Sequence, residues 1–212
     1  MTATHLRAER VGIFGGTFDP LHNGHLRIAA AVLKQHRLDR IIFVPARVQP
    51  HKTAPPRAPG RHSLAMIRLS IRDNPHFSVS DCELRRPGVS FTIDTIRQLR
   101  RRFRGNADLY FIVGSDTVPE LPRWRNVKEL TRLCTIIIAA RPDWPIEALD
   151  ALAGRLPPNH LARIRELAVR TTANPISSTD IRERLAQGRP IRRLVPLPVA
   201  DYIARHKLYA FS

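Results

Sequence analysis

Two kinds of segment alternate along the chain. Short unbroken apolar runs occupy Arg10–Phe14, Arg40–Val44 (RIIFV), Leu109–Val113 (LYFIV) and Thr135–Ala139 (TIIIA). Runs of that length, rich in β-branched and aromatic residues, read as buried strands. Phe77–Leu84 predicts a further strand. Between them the apolar spacing becomes helical. Over Gly24–His36 it places Leu26, Ala29, Ala30 and Leu33 on one side. Helices are also predicted over Arg61–Asp73, Thr92–Phe103 and Asn126–Leu133. Pro145–Leu167 reads as mostly helical, broken at Pro157-Pro158. Ser178–Gln187 reads as a helix closed by Gly188, the usual residue at a helix stop. A last helix is expected over Pro198–His206.

Strands alternating with helices imply an α/β fold: a doubly wound parallel sheet with helices on both faces. A single domain over residues 1–212 is expected, with 176–212 as a helical C-terminal subregion. Ligands in such sheets bind beyond the carboxyl ends of the strands, here just after Phe14, Val44, Val113 and Ala139. The Pro-rich connection from Pro45 to Gly60 is long, and long connections in compact domains are usually functional or mobile.

Composition narrows the class. The chain has 212 residues, of which 43% are hydrophobic, enough for a core without staples. No apolar run approaches the ~20 residues that span a bilayer. Met1–Arg10 lacks the apolar segment of a secretory signal, so a cytoplasmic location is expected and no membrane partner. Cys82 and Cys134, both in strand-like contexts, are too few for a disulfide framework or zinc site and read as buried thiols. The formal charge is +17, which suggests a nucleic-acid binder. Yet only four of the 35 basic residues are lysine (Lys34, Lys52, Lys128, Lys207), and the arginines are spread along the whole chain. A general bias toward arginine explains this better than a binding stripe, and the field still attracts anionic substrates.

The loop after the first strand carries the strongest chemistry. It reads Gly15-Gly16-Thr17-Phe18-Asp19-Pro20-Leu21-His22-Asn23-Gly24-His25. Glycines let backbone amides approach a phosphate, and a helix starting near Asn23 points its free N–H groups at the same place. His22 and His25, three apart, share one face of that helix start. The glycines match neither G-x-G-x-x-G nor G-x-x-x-x-G-K-[ST]. Metal binding by the two histidines lacks a third ligand, and a purely structural turn does not need both. A second cradle lies at Ile176-Ser177-Ser178-Thr179-Asp180-Ile181-Arg182. Ser177 with Asp180 is a capping pattern, and a well-capped helix is one reading. Ser178, Thr179 and Arg182 also gather hydroxyls and a guanidinium at a positive helix end.

The H-x-G-H motif at His22–His25, with the longer string from Gly15, resembles the nucleotidylyltransferase superfamily and, within it, bacterial nicotinate-nucleotide adenylyltransferases. The resemblance runs from about residue 11 to about residue 209. It implies a Rossmann-like nucleotidylyltransferase fold and transfer of AMP from ATP to nicotinate mononucleotide, with Mg²⁺ accompanying ATP. It implies that Gly15, Gly16, Thr17, Phe18, His22 and His25 contact ATP, and that Ser177, Ser178, Thr179 and Arg182 hold the β- and γ-phosphates. His22, His25 and Arg182 are then the catalytic set. Gly114 and Asp116 would contact the adenosine.

Three segments resemble the nicotinate-nucleotide enzymes in particular. Pro50-His51-Lys52 offers Lys52 to the mononucleotide phosphate. Ser90-Phe91-Thr92-Ile93-Asp94-Thr95 offers Thr92 to a carboxylate at a helix start; the family often has Tyr where this chain has Phe91. Leu121-Pro122-Arg123-Trp124-Arg125 offers Trp124 as a stacking face and Arg125 to the ring carboxylate. A core role for Trp124 is the rival reading. Phosphopantetheine adenylyltransferases resemble the same anchors but have Thr at the position of His22. An adenylyltransferase for nicotinamide mononucleotide or another phosphorylated small molecule stays open, as does self-association. A nucleic-acid-binding module leaves the two cradles unexplained. A class I aminoacyl-tRNA synthetase fragment does not fit the ISSTDIR segment.

Overall fold

The computed structural model describes residues 7–50, 55–141, 143–171 and 176–209. Among them the strands are β1 (Glu9–Gly16), β2 (Arg40–Pro45), β3 (Phe77–Val79), β4 (Ala107–Gly114), β5 (Thr135–Ala140) and β6 (Val169–Arg170). The helices are α1 (Asn23–Gln35), α2 (Gly60–Ile71), α3 (Cys82–Arg85), α4 (Thr92–Arg102), α5 (Val127–Leu133), α6 (Pro158–Glu166), α7 (Ser178–Ala186) and α8 (Leu197–Arg205). Two 3₁₀ segments cover Ser115–Arg123 and Ile146–Leu152.

All strand pairs are parallel, in the order β3-β2-β1-β4-β5-β6. The chain runs outward from β1 to one edge, returns, and continues from β4 to the other. The topological switch point therefore lies between β1 and β4, where ligands of such sheets bind. Alternate strand residues face two separate apolar layers. Val11, Ile13, Leu109, Phe111, Ile136 and Ile138 pack with Ile93, Ile96 and Leu99 of α4. Phe14, Ile41, Phe43, Tyr110, Ile112 and Ile137 pack with Ala29 and Val32 of α1 and with Ile67 and Ile71 of α2. Burial on both faces is why the strands read as continuous apolar runs. A third cluster ties Met66 of α2 to Ile181 of α7 and to Val199 and Ile203 of α8, which brings the C-terminal helices alongside the sheet.

Several expectations are corrected. The strand expected over Phe77–Leu84 lasts three residues, because β3 is an edge strand paired only with β2. The chain then turns into α3, where Arg85 bridges back to Asp81 at 2.6 Å. Cys82 thus lies in a helical turn, and Cys134 caps the end of α5. The buried stripe of α1 centres on Ala29 and Val32, and Ala30 is exposed. The Pro145–Leu167 region is a 3₁₀ segment, a turn through Gly154 at φ +72°, and then α6. Gly188 sits past the end of α7 at φ +67°, a conformation only glycine adopts at no steric cost.

Candidate active site

Beyond Gly16 the chain crosses the top of β1 and enters α1 at His22. His22 holds extended backbone angles, so its own N–H is not part of the helix ladder. It donates that N–H to Nδ1 of His25 at 3.3 Å. A ring nitrogen that accepts carries no proton, so the His25 proton sits on Nε2. The two imidazoles stack at 3.7 Å with 27° between planes. Edge contacts from Phe14 and Phe18, at 6.0 and 5.1 Å, pack against the His25 ring. His22 is only 6% exposed, and its buried Nδ1 has no partner within the described residues. Burial lowers its pKa to about 4. At neutral pH His22 is therefore a neutral hydrogen-bonding group, contributing no formal charge.

The Phe18 side chain is 1% exposed and wedged edge-on against Phe14 and Phe43. Only its backbone is left to meet a ligand. Part of the glycine requirement is also packing: a Cβ on Gly15 would lie 3.1 Å from the Phe111 ring, and one on Gly16 3.2 Å from Phe18. Thr17, half-buried, sits between them.

The second helix start docks directly on this loop. Ser177 caps α7 by accepting from the Asp180 N–H at 3.0 Å. The Asp180 carboxylate pairs with Arg184 at 3.1 Å rather than completing a capping box. Ser178 donates its hydroxyl to the Pro20 carbonyl at 3.0 Å. Arg182 donates to the Asp19 carbonyl at 2.6 Å and to the Thr179 hydroxyl at 3.0 Å. The start of α1 is held from the same side, since Asn23 donates its backbone N–H to Leu194 O at 2.9 Å and its side-chain amide to Arg193 O at 3.1 Å. The two helix starts read from distant parts of the sequence thus lie side by side.

Asp19 is the hub that sequence reasoning passed over. Its carboxylate is 3% exposed and accepts from Arg57 N–H at 2.7 Å, Ala58 N–H at 3.2 Å and the Tyr209 hydroxyl at 2.6 Å. It lies inside the quoted motif, but its partners are far away in sequence and leave no local spacing to read.

Beside these cradles, at the switch point, lies a cavity of about 290 Å³. Gly15, Gly16, Thr92, Gly114, Asp116, Trp124 and Arg125 all line it, so Gly114, Asp116, Thr92, Trp124 and Arg125 gather around one crevice. Thr92 is the first residue of α4, and no side chain caps that helix. Trp124 stands edge-on to Phe111 at 5.9 Å, with its indole nitrogen buried and unpartnered within the described residues. The Arg125 guanidinium lies 4.8 Å above the Phe91 ring and 3.8 Å from Asp94. The Phe91 ring thus packs as a platform for Arg125. Asp116 is largely exposed and faces Arg141 at 4.0 Å. Lys52 lies outside the described residues, although Gln49 and Pro50 just before it line the cavity. Among the described residues no group of three or more His, Cys, Asp or Glu side chains could hold a metal ion, and no helix is long and apolar enough to cross a membrane.

The family model described as cytidylyltransferase-like matches residues 13–184, which include both cradles and the cavity wall. Full-length relatives narrow it. A curated protein from Roseiflexus sp. strain RS-1 is 45% identical over 94% of this chain and 97% of its own length. One from Thermomicrobium roseum is 42% identical over 95% and 92%. Both bear the name "Probable nicotinate-nucleotide adenylyltransferase". This chain belongs to the nicotinate-nucleotide adenylyltransferase family, within the cytidylyltransferase-like proteins. The fold agrees with that of Plasmodium falciparum nicotinic acid mononucleotide adenylyltransferase complexed with NaAD: TM-score 0.73, 20% identity, 95% of this chain and 97% of that one.

For a family member built this way, the buried neutral His22 has a measurable consequence. The unfolded chain protonates this histidine near 6.5, the folded one only near 4. Below pH 6.5 the unfolded state therefore binds the extra proton, and stability falls as pH drops toward 4. The contribution is about 3 kcal/mol. Thermal melts at pH 7 and pH 4.5 should show a smaller acid-induced loss for His22→Gln than for the unmodified protein. Equal losses in the two would place the acid sensitivity elsewhere.

Proposed function

We infer that the chain transfers the AMP part of ATP to the phosphate of nicotinate mononucleotide, giving deamido-NAD (nicotinate adenine dinucleotide) and pyrophosphate, a step of NAD biosynthesis. The observation that carries the reading is the 2.6 Å bond from Arg182 to the Asp19 carbonyl. It sets the α7 start beside the α1 start, so one triphosphate can touch both. The mononucleotide phosphate is already ionised and needs no general base. One of its oxygens forms a bond to the α-phosphorus of ATP, the bond from that phosphorus to the β-bridging oxygen breaks, and the electron pair leaves with pyrophosphate.

Catalysis is then alignment and charge stabilisation. His25, with its proton on Nε2, donates to oxygens of the α- and departing β-phosphate, and His22 supports it as a neutral donor. The amides of Gly15–Phe18 approach the triphosphate from the strand end. Ser177, Ser178, Thr179 and Arg182 hold its far end. The Asp19 carboxylate already accepts three hydrogen bonds, so it is ill suited to ligate a metal. Mg²⁺ instead enters as part of the substrate, bound to ATP oxygens and water, where it neutralises phosphate charge.

In the cavity, Trp124 stacks on the pyridine ring, while the Thr92 amide and Arg125 receive the ring carboxylate. Lys52 is proposed to meet the mononucleotide phosphate. Gly114 and Asp116 take the adenosine side. Trp124→Ala should weaken mononucleotide binding by roughly 1–3 kcal/mol, the scale of aromatic stacking, as read by calorimetric titration; an unchanged Kd removes stacking from the reading.

A pyrophosphate-release assay with ATP, Mg²⁺ and a panel of phosphorylated acceptors tests the whole proposal. Nicotinate mononucleotide should give the highest kcat/KM, ahead of the nicotinamide form. Preference for another acceptor would overturn the substrate reading.

A further inference from the structure

The cavity wall holds a carboxyl group that the reaction above does not use. Glu83 sits on α3, is 7% exposed and lines the cavity. Thr95, in the first turn of α4, donates its hydroxyl to Glu83 Oε1 at 2.5 Å, and Arg86 in turn donates to that hydroxyl at 2.9 Å. The Ser90 hydroxyl interacts with the same carboxyl and helps hold its pKa down. Ser90 then reaches across to the chain leaving β2: its Oγ accepts from Arg47 N–H at 3.1 Å, and its own N–H donates to Val48 O at 2.8 Å. Arg47 closes the circuit by donating to the Arg86 carbonyl at 3.2 Å.

Every bond of this network ends on a segment that forms the cavity. Thr95 is three residues beyond Thr92. Ser90 precedes Phe91 and Thr92. Arg47 and Val48 lead into Gln49 and Pro50, and all these neighbours line the cavity. One buried carboxyl thereby fixes the turn on one side of the crevice and the connection on the other. Burying an acid is costly. Burial pushes its pKa up, while the hydroxyls of Thr95 and Ser90 and the nearby Arg86 pull it down. An apolar residue could fill the same volume, but it could not accept from the Thr95 hydroxyl at the start of α4.

We propose that Glu83 is a positioning residue for the mononucleotide: through Thr95 and Ser90 it holds the Ser90–Thr92 turn and the Arg47–Pro50 segment in the geometry that receives the ring end of the substrate. It rests on the reading of the cavity as the nicotinate mononucleotide site. It concerns only one of the two substrates, since the network touches neither His25 nor the α7 cradle.

The test is steady-state kinetics on the full chain, unmodified and as Glu83→Ala, Glu83→Gln and Ser90→Ala, varying each substrate with the other saturating. Glu83→Ala should raise KM for nicotinate mononucleotide roughly tenfold or more, the effect of leaving buried hydroxyls unpaired. KM for ATP and kcat should stay within about twofold, because nothing that holds the triphosphate has moved. Ser90→Ala, which breaks the link from its other end, should give the same split. Glu83→Gln keeps an acceptor for Thr95 and should recover part of the affinity; it also serves if Glu83→Ala does not fold. An unchanged KM for the mononucleotide in folded variants, or KM values that rise together for both substrates, would overturn the role of Glu83 while leaving the assigned reaction intact. No turnover of nicotinate mononucleotide by the unmodified chain would overturn both.

Discussion

Replacing His25 with alanine should lower kcat on the order of 10²-fold or more, with a much smaller change in KM for either substrate. The scale is that of losing one preorganised donor to an oxyanion. The structure gives specific reasons for preorganisation. The His22 N–H occupies Nδ1, His22 stacks on one side of the ring, and the Phe14 and Phe18 edges pack against it. The ring therefore has little freedom to lose when charge develops on the departing pyrophosphate. Stability should change little by comparison, because His25 is only partly buried. Single-turnover rates on a folded His25→Ala protein read the effect. Near-normal turnover would remove His25 from the mechanism.

Arg182→Ala should lower kcat/KM for ATP by about 2–4 kcal/mol in transition-state stabilisation, on the order of 10²-fold. Charge-assisted bonds to phosphate are strong, and a guanidinium fork can make two of them at once. The same guanidinium also donates to the Asp19 carbonyl, so a purely structural effect has to be separated. One such bond is worth about 1–3 kcal/mol, a fall in Tm of up to about 10 °C for a chain this size. A catalytic loss with a melt lowered by no more than that fits the phosphate role. Wholesale unfolding with no specific effect on ATP contradicts it. KM for the mononucleotide should be nearly unaffected.

The central strands were legible because the sheet is parallel and covered on both sides, which turns β1, β2, β4 and β5 into apolar runs without alternation. The same logic failed at the sheet edges. β3 and β6 have three and two residues, too few for any period to register. The segment after β3 reads as a strand by composition, yet α3 turns Glu83 inward to Thr95, and no local spacing announces that. The segment Ser115–Arg123 carries Pro119 and Pro122 and folds as 3₁₀ helix, so neither a helical nor a strand period shows.

At the candidate site, the two helix starts were legible from short motifs, because glycines, histidines and capping hydroxyls act within a few residues of each other. What joins them was not. Arg182 reaches the Asp19 carbonyl, and Tyr209 reaches the Asp19 carboxylate. Both contacts depend on C-terminal helices packing against α2 through Met66, Ile181 and Val199. Phe18 shows the opposite limit. It lies inside the motif string, yet its side chain serves the core, and adjacency in sequence does not distinguish a ligand contact from a wedge.

The central claim is that both helix starts grip a single triphosphate, and a crystal structure with a non-hydrolysable ATP analogue tests it most directly. The expected result is one polyphosphate chain with oxygens within hydrogen-bond distance of His25 Nε2 and, at its other end, of Arg182 and the first residues of α7. A polyphosphate bound at only one of the two starts, with the other more than a hydrogen bond away, would contradict it.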